Sequence, residues 1–177
     1  MYLFSEGSKK KKEPRVQLLG SGTILREVIA AAAILKDDYN VNADIWSVTS
    51  FNELRREALD VVRWNMLHPT EPAKASHVEN CLQGREGPVV AATDYMKIYA
   101  DQIREFIPGH YRVLGTDGFG RSDTREKLRH FFEVDRFYIT VAALKALSEE
   151  GKIPSEQVVQ AMQKYGIDPE KPNPVTV

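Results

Sequence analysis

The chain has 177 residues, with 24 basic and 25 acidic side chains and a formal net charge of −1. Hydrophobic residues make up 42% and charged residues 28%, which is average for a globular domain and excludes disorder over the whole length. The longest apolar run, Val28 to Leu35, has eight residues, whereas a membrane-spanning helix needs about twenty. We therefore expect no membrane partner.

Basic side chains are concentrated at the amino end. Residues 1–15 carry five basic and two acidic side chains, whereas the remaining 162 residues carry a net charge of −4. A nucleic-acid clamp needs a concentrated basic face, so no nucleic-acid partner is expected. Residues 1–14, with four consecutive lysines (Lys9–Lys12) and Pro14, are predicted to form a flexible, solvated leader. A nucleic-acid or targeting role for the lysines is the less favoured alternative.

Alternating strand and helix patterns follow in chain order. Val16–Leu19 is a short apolar strand stopped by glycines, residues 23–36 have helical spacing, and residues 43–48 form a second predicted strand. Short connections between these elements predict a parallel βαβ unit. Further strands are predicted at 88–93 and 111–114, and further helices at 50–65, 76–84, 95–106, 123–132, 135–149 and 154–166.

Several of these helices have clear start and stop signals. Ser50 and Ser76 each precede a glutamate by three residues, the spacing of a capping box. Asp135 is predicted to cap the helix that Gly151 ends. Together the elements predict a three-layer α/β domain over residues 15–166. Its mostly parallel sheet of four to five strands has helices on both faces, and an irregular proline-rich tail follows at 167–177.

The turn Gly20-Ser21-Gly22-Thr23 is the first candidate site. It joins a strand to a helix, and free amides at a helix start attract anions. The third glycine of the dinucleotide fingerprint is replaced by Leu25, and the phosphate-binding lysine of a P-loop is missing. A tight turn that needs glycine for geometry alone is therefore the favoured interpretation. Contacts with an anion or a partner through Ser21, Gly22 and Thr23 remain the alternative.

The loop from Gly115 to Asp123 is the second candidate. It follows a strand at the edge of the sheet where α/β proteins bind ligands, and its three glycines predict special backbone angles. Two interpretations stay equally open: a ligand-binding loop, or a loop that caps the next helix at a subunit interface. The side chains available to either role are Asp117, Arg121, Ser122 and Asp123.

Histidine and cysteine patterns indicate neither a metal site nor a nucleophile. The four histidines have no histidine four residues away, and the single cysteine excludes an intramolecular disulfide. Cys81 is predicted to be a small helix residue, and one cysteine fits a reducing cytoplasm. The histidines are His68, His77, His110 and His130, and of these His68 and His130 are predicted to be surface or packing residues.

Four segments are specific enough to indicate a family. They are VQLLGSGTILREV (16–28), DIWSVTSFNELRREALDVVRWNMLHP (44–69), ATDYMKIYADQIREFIP (92–108) and YRVLGTDGFGRSDTREKLRHFFEVD (111–135). From Val16 to Pro174 the chain resembles the C-terminal domain of homodimeric bacterial pyruvate dehydrogenases. These are the thiamine-diphosphate-dependent, decarboxylating components of the pyruvate dehydrogenase complex. The resemblance implies a fold of the transketolase C-terminal type.

The resemblance also implies that the chain is one domain of a larger enzyme. Such an enzyme decarboxylates pyruvate on thiamine diphosphate with Mg²⁺ and acetylates a lipoyl group, using motifs that lie in other domains. No catalytic or cofactor residue of the family can be carried over, because Gly115-Thr116-Asp117-Gly118 only superficially echoes the Gly-Asp-Gly motif and no Asn-Asn follows. The isolated chain is expected to be inactive and cytoplasmic. Its implied partners are the enzyme's other domains, a homodimer partner and the acyltransferase component.

Overall fold

The computed structural model describes residues 1–8 and 13–177. Within them, five strands form one sheet in the order β1-β3-β2-β4-β5, and every neighbouring pair except β1–β3 is parallel. The predicted three-layer, mostly parallel α/β architecture is confirmed. The strands are β1 (Tyr2–Ser5), β2 (Arg15–Gly20), β3 (Asn42–Ser47), β4 (Val89–Ala92) and β5 (Tyr111–Leu114).

Helices alternate with these strands and then follow them. Short 3-10 turns lie at Gly22–Ile24, Arg104–Phe106 and Pro174–Thr176. None of the helices in the described ranges is long and apolar enough to cross a membrane. The helices are α1 (Leu25–Tyr39), α2 (Phe51–Leu67), α3 (His77–Leu82), α4 (Lys97–Asp101), α5 (Arg125–Phe131), α6 (Arg136–Glu149) and α7 (Ser155–Lys164).

Two apolar clusters, one on each face of the sheet, form the core. Because side chains alternate along a strand, Leu18 and Leu19 of β2 point to opposite faces. Leu18 packs with buried residues of α1, α6 and α7, whereas Leu19 packs with those of α2, α3 and the α4 region. Both leucines are fully buried, as expected for a parallel sheet covered on both faces.

The prediction of a solvated leader is wrong for its first part. Residues 2–5 form β1, which pairs antiparallel with the outer edge of β3. Further along, the amide of Gly7 donates to Asp44 Oδ1 at 2.9 Å. An unpaired strand edge offers hydrogen bonds to any extended segment, so backbone pairing outweighs the polar composition of residues 5–8. The predicted flexibility of Lys9–Lys12 falls outside the described residues.

The predicted helix at 95–106 is also corrected. It is broken into α4 and a 3-10 turn, and its first residues belong to a loop. The backbone of Tyr95 accepts a hydrogen bond from the amide of Thr116 at 2.9 Å, and the amide of Lys97 donates to Asp117 Oδ1 at 2.9 Å. These contacts with the loop after β5 hold the segment in a non-helical conformation, with ψ of 143° at Met96.

The predicted caps form where their signals depend only on neighbouring residues. Ser76 and Glu79 make a complete capping box, whereas only half of the predicted box forms at Ser50: Ser50 Oγ accepts the amide of Glu53, but the Glu53 carboxylate pairs with Arg56. Asp135 Oδ1 accepts two amides at the start of α6, and Gly151 follows the end of that helix with φ of 68°. These bonds satisfy backbone donors that a helix leaves free at its first turn.

Gly87 provides a test of the packing between β2 and the start of β4. An alanine Cβ at Gly87 would lie 1.7 Å from the carbonyl oxygen of Arg15, and φ there is +85°. We expect Gly87→Ala to reduce the free energy of unfolding by more than about 3 kcal/mol, through the clash and the positive φ together. Gly84→Ala is the matched control, because φ is +70° but the space is open. It should cost only about 1 kcal/mol. Equal losses in urea unfolding would contradict the clash.

Candidate functional site

The carboxyl ends of β2, β3, β4 and β5 meet at one edge of the sheet, which we call the carboxyl edge. Because these strands are parallel, the segments that follow them lie side by side. The turn at Gly20–Thr23, the segment after β4 and the loop at Gly115–Asp123 are joined here by hydrogen bonds. Both candidate loops therefore lie on the side of the sheet where α/β domains bind ligands.

An acidic side chain lies against the turn at Gly20–Thr23. Thr23 Oγ1 donates to Asp94 Oδ2 at 3.1 Å, and a Cβ placed on Gly22 would lie 3.3 Å from Asp94 Oδ1. Ser21 Oγ donates to Thr93 Oγ1 at 2.8 Å. The hydroxyl groups are thus used inside the protein, and a carboxylate already lies beside the turn. This arrangement disfavours an external anion at the amides of the turn.

The loop at Gly115–Asp123 is anchored at its centre. Asp117 accepts the amide of Lys97, as described above. Gly118 has φ of +104°, the kind of backbone angle that the glycines predict, and a Cβ there would lie 2.5 Å from the carbonyl oxygen of Pro174. Ser122 and Asp123 are exposed, and Asp123 Oδ1 accepts the amide of Thr124. The tail therefore packs on the loop that joins β5 to α5.

The predicted site residues are distributed between two cavities. Thr23 and Arg121 line one of about 360 Å³, together with Asp94. Ser21 and Gly22 line another, of about 420 Å³. Neither cavity is lined by Asp117, Ser122 or Asp123. The structure thus brings part of each predicted loop to a shared cavity and leaves the remaining residues in helix-capping or exposed positions.

The residues at this edge do not fit thiamine diphosphate with its magnesium ion. The glycine that echoes the family motif, Gly118, lies against the tail, where a Cβ would be 2.5 Å from the carbonyl oxygen of Pro174. Across residues 1–8 and 13–177, no three His, Cys, Asp or Glu side chains are grouped in positions that could hold a metal ion. Magnesium with a diphosphate is usually held by one or two carboxylates together with phosphate oxygens, and the carboxylate that lines the cavity beside Gly118, that of Asp94, already accepts a hydrogen bond from Thr23.

Each histidine contacts a neighbouring group that accounts for its position. His68 stacks on Trp64 with ring centroids 4.4 Å apart, and His130 Nδ1 lies 3.0 Å from Asp135 Oδ2. His110 lies 3.9 Å from a carboxylate oxygen of Glu149, while His77 Nε2 lies 2.8 Å from the carbonyl oxygen of residue 1.

Cys81 lies next to His77, with Sγ 3.4 Å from Nε2. Burial raises the pKa of the Cys81 thiol, and this effect outweighs the opposing influence of nearby positive charges. A thiol with a raised pKa is a poor nucleophile, because the thiolate is the reactive form. Cys81 and His77 therefore form a packing contact and not a reactive pair.

Sequence analysis missed an exposed apolar group, which we call the edge cluster. It consists of Tyr95, Met96, Ile98 and Phe119, which are 66%, 50%, 63% and 79% exposed. The loop contacts of residues 95 and 97 described above hold the first three members beside the segment that leads to Phe119. Assigning residues 95–106 to one amphipathic helix concealed the cluster, because that assignment places part of the segment in the core.

Sequence analysis also missed Glu27, although its spacing from apolar residues of α1 indicates that it is buried. It lies three residues after Ile24 and four before Ala31, on the buried stripe of α1. Its carboxylate accepts hydrogen bonds from Arg129 Nη1 at 2.8 Å and from Arg136 Nε at 2.9 Å. Burial alone would raise the pKa of Glu27, but the bonds and charges of the two arginines outweigh it and lower the pKa.

Comparison with known proteins agrees with this architecture. Residues 1–135 match the family described as Transketolase-like TK C-terminal domain. The chain is 60% identical over 177 residues to the pyruvate dehydrogenase E1 component of Cupriavidus necator, covering 100% of this chain and 20% of that protein. It is 54% identical over 170 residues to that of Escherichia coli K12, covering 96% and 18%. The chain thus spans about a fifth of the length of these relatives.

A solved structure supports the fold alone. It is a split-gene transketolase described as an inactive beta4 tetramer, which is 18% identical to this chain with a TM-score of 0.53. The match covers 81% of this chain and 42% of that one.

The buried position of Glu27 predicts a defined pH dependence. Because its pKa is lowered in the folded state, the stability that Glu27 contributes is complete above its unfolded pKa. This contribution disappears as the pH falls through the lowered folded value. We expect Glu27→Gln to reduce the free energy of unfolding by about 2 kcal/mol near neutral pH, and the gap to close in acid.

Urea unfolding at several pH values measures this gap. Glu53→Gln is the control, because Glu53 pairs with Arg56 on the solvated face of α2 and should change stability little. A gap for Glu27→Gln that stays constant into strong acid would contradict the assigned pKa direction.

Proposed function

Because the chain belongs to the transketolase-like C-terminal domain family, we propose that it is the structural and assembly domain of a bacterial pyruvate dehydrogenase E1 component. The whole enzyme would decarboxylate pyruvate on thiamine diphosphate and acetylate a lipoyl group. This chain would contribute packing and dimer contacts in the cytoplasm, without supplying a catalytic group. Sequence identity of 51 to 61% to several such components supports the assignment.

The edge cluster is the observation that carries the assembly role. Four large apolar side chains, each at least half exposed, lie on two segments joined by hydrogen bonds. Large apolar side chains exposed together on adjoining segments are typical of an interface. Its members come from loops tied to the sheet, so the surface is already in place before a partner arrives. We assign the second copy of this chain as its occupant, because the family resemblance implies a homodimer.

Two alternatives involve other surfaces. Docking to the acyltransferase component is favoured by an exposed apolar stripe on α2, formed by Leu59, Val62 and Met66, which are 41%, 45% and 69% exposed. Binding of a small anion or regulator at Ser21–Thr23 or Gly115–Asp123 is the other alternative. The carboxylate of Asp94 beside the first of these segments counts against a site at the turn itself.

A charge placed in the edge cluster tests the assembly role. We expect the chain to self-associate as its concentration rises, and Phe119→Asp to shift it to monomer, because a buried unpaired carboxylate is strongly unfavourable. Sedimentation velocity measures the distribution. Val159→Asp is the matched control, since Val159 is a half-exposed apolar residue on α7. A chain that stays monomeric at every concentration, or a control that dissociates it equally, would contradict the proposal.

Calorimetric titration tests the absence of a catalytic role. The chain should show no Mg²⁺-dependent binding of thiamine diphosphate and should release no CO₂ from pyruvate, since its residues do not fit that group. The full-length pyruvate dehydrogenase E1 component of Escherichia coli, assayed in parallel, is the positive control. Turnover above a buffer blank, or binding that requires Mg²⁺, would overturn this part of the proposal.

A further inference from the structure

The cavity of about 360 Å³ at the carboxyl edge has the composition of a ligand site. Its volume falls in the range of small-molecule pockets, roughly 300 to 1,000 Å³. We call it the arginine cavity, because three arginines and four apolar residues line it. The arginines are Arg121, Arg125 and Arg129, and the apolar residues, which we call its floor, are Ile24, Leu128, Phe132 and Val134.

The three arginines differ in how they are held. Arg129 is fixed by its bond to the buried Glu27, and the guanidinium of Arg121 lies 5.0 Å from the ring centroid of Phe131. The guanidinium of Arg125 makes no hydrogen bond or ion pair with any described residue, although Arg125 lines the cavity. The cavity therefore has one guanidinium positioned by a carboxylate and two, those of Arg121 and Arg125, whose donors are available.

Charge in the arginine cavity is not balanced. Arg129 is paired with Glu27, so one carboxylate, Asp94, faces the two remaining arginines, which leaves an excess of one positive charge. Asp94 also already accepts a hydrogen bond from Thr23 Oγ1. A phosphomonoester carries nearly two negative charges at neutral pH, and the planar fork of arginine matches its oxygens.

The neighbouring larger cavity has a volume of about 1080 Å³ and borders the arginine cavity at Arg125 and Arg129. The other cations that line it each have a carboxylate partner: Arg136 with Glu27, Lys171 with Glu133 at 3.0 Å, and Lys127 with Asp123 at 3.9 Å. Three carboxylates also line it. Arg121 and Arg125, which have no such partner among the described residues, both line the smaller cavity.

We propose that the arginine cavity binds a small phosphomonoester with an apolar body. The phosphate contacts Arg121, Arg125 and Arg129, and the apolar part of the molecule lies on the floor of the cavity. The site is distinct from the amides of the turn at Gly20–Thr23, where Asp94 opposes an anion. The two candidate loops of the sequence thus contribute to one site through Thr23 and Arg121, while α5 supplies the remaining arginines.

Isothermal titration of the 177-residue chain with n-butyl phosphate tests this proposal. We expect saturable binding that Arg125→Gln weakens about tenfold, because a charge-assisted hydrogen bond is lost. Inorganic phosphate should bind several-fold more weakly, because it leaves the apolar floor exposed. The control is Arg63→Gln, since Arg63 is an exposed arginine on α2 outside the cavity and should leave affinity within twofold.

Three results would overturn the proposal. They are the absence of saturable binding up to about 10 mM butyl phosphate, an equal loss of affinity in both arginine variants, and equal affinity for butyl and inorganic phosphate. An equal loss of affinity in both arginine variants would show that the net charge of the chain alone attracts the phosphate. Amide chemical shifts measured with and without butyl phosphate locate the site. The shifts that change on binding should centre on Thr124 to Arg129. These readouts do not depend on self-association, so the assembly role and the phosphate site can fail separately.

Discussion

Glu27 carries a negative charge into the layer between α1 and the α5–α6 pair, and two arginines hold it there. A buried carboxylate is costly unless it is paired and hydrogen-bonded, and Glu27 meets both conditions through Arg129 and Arg136. The same bonds join α1 to α5 and to the start of α6. The position of α5 in turn decides where its arginines face, so the charge of the arginine cavity depends on this single carboxylate.

Asp44 is a second buried carboxylate that accepts several hydrogen bonds, in this case on β3 next to the edge strand β1. It is fully buried on β3 and accepts bonds from Arg15, from Gln17 Nε2 and from the amide of Gly7. Trp46 donates to Gln17 Oε1 at 2.9 Å, which completes a buried polar network. Through Gly7 this network holds the chain just after β1, so the edge strand is secured both by backbone pairing and by a side chain. Such networks stabilise a fold only when every member is satisfied, as here.

The loop at residues 115–123 contributes both to the proposed assembly surface and to the proposed ligand site at the carboxyl edge. Residues 115–123 present Phe119 outward to the edge cluster, while Gly118 and Arg121 line the arginine cavity. Asp117 ties this loop to α4, and the tail at Pro174 covers its glycine. The apolar surface and the basic cavity are therefore set in place by the same contacts. The proposed assembly surface and the proposed ligand site of this domain therefore share one loop.

Local patterns in the sequence determined much of this protein. The apolar run at 16–19, the capping boxes at Ser50 and Ser76 and the cap at Asp135 predicted strands and helix starts, because each depends on residues a few positions apart. The alternation of these elements predicted the parallel sheet. The sequence placed the loop at Gly115–Asp123 after the end of a strand and the turn at Gly20–Thr23 between a strand and a helix, but the roles of both stayed open.

Tertiary structure decided what depends on residues far apart in the chain. Pairing of residues 2–5 with β3 needs an exposed strand edge that no local pattern reveals. The break at α4 comes from bonds to the loop about twenty residues later. Glu27 meets Arg129 across 102 positions, and Asp94 meets Thr23 across 71. The sequence shows each of these charges, but only packing of the helices on the sheet decides which are neutralised and which remain available to a ligand.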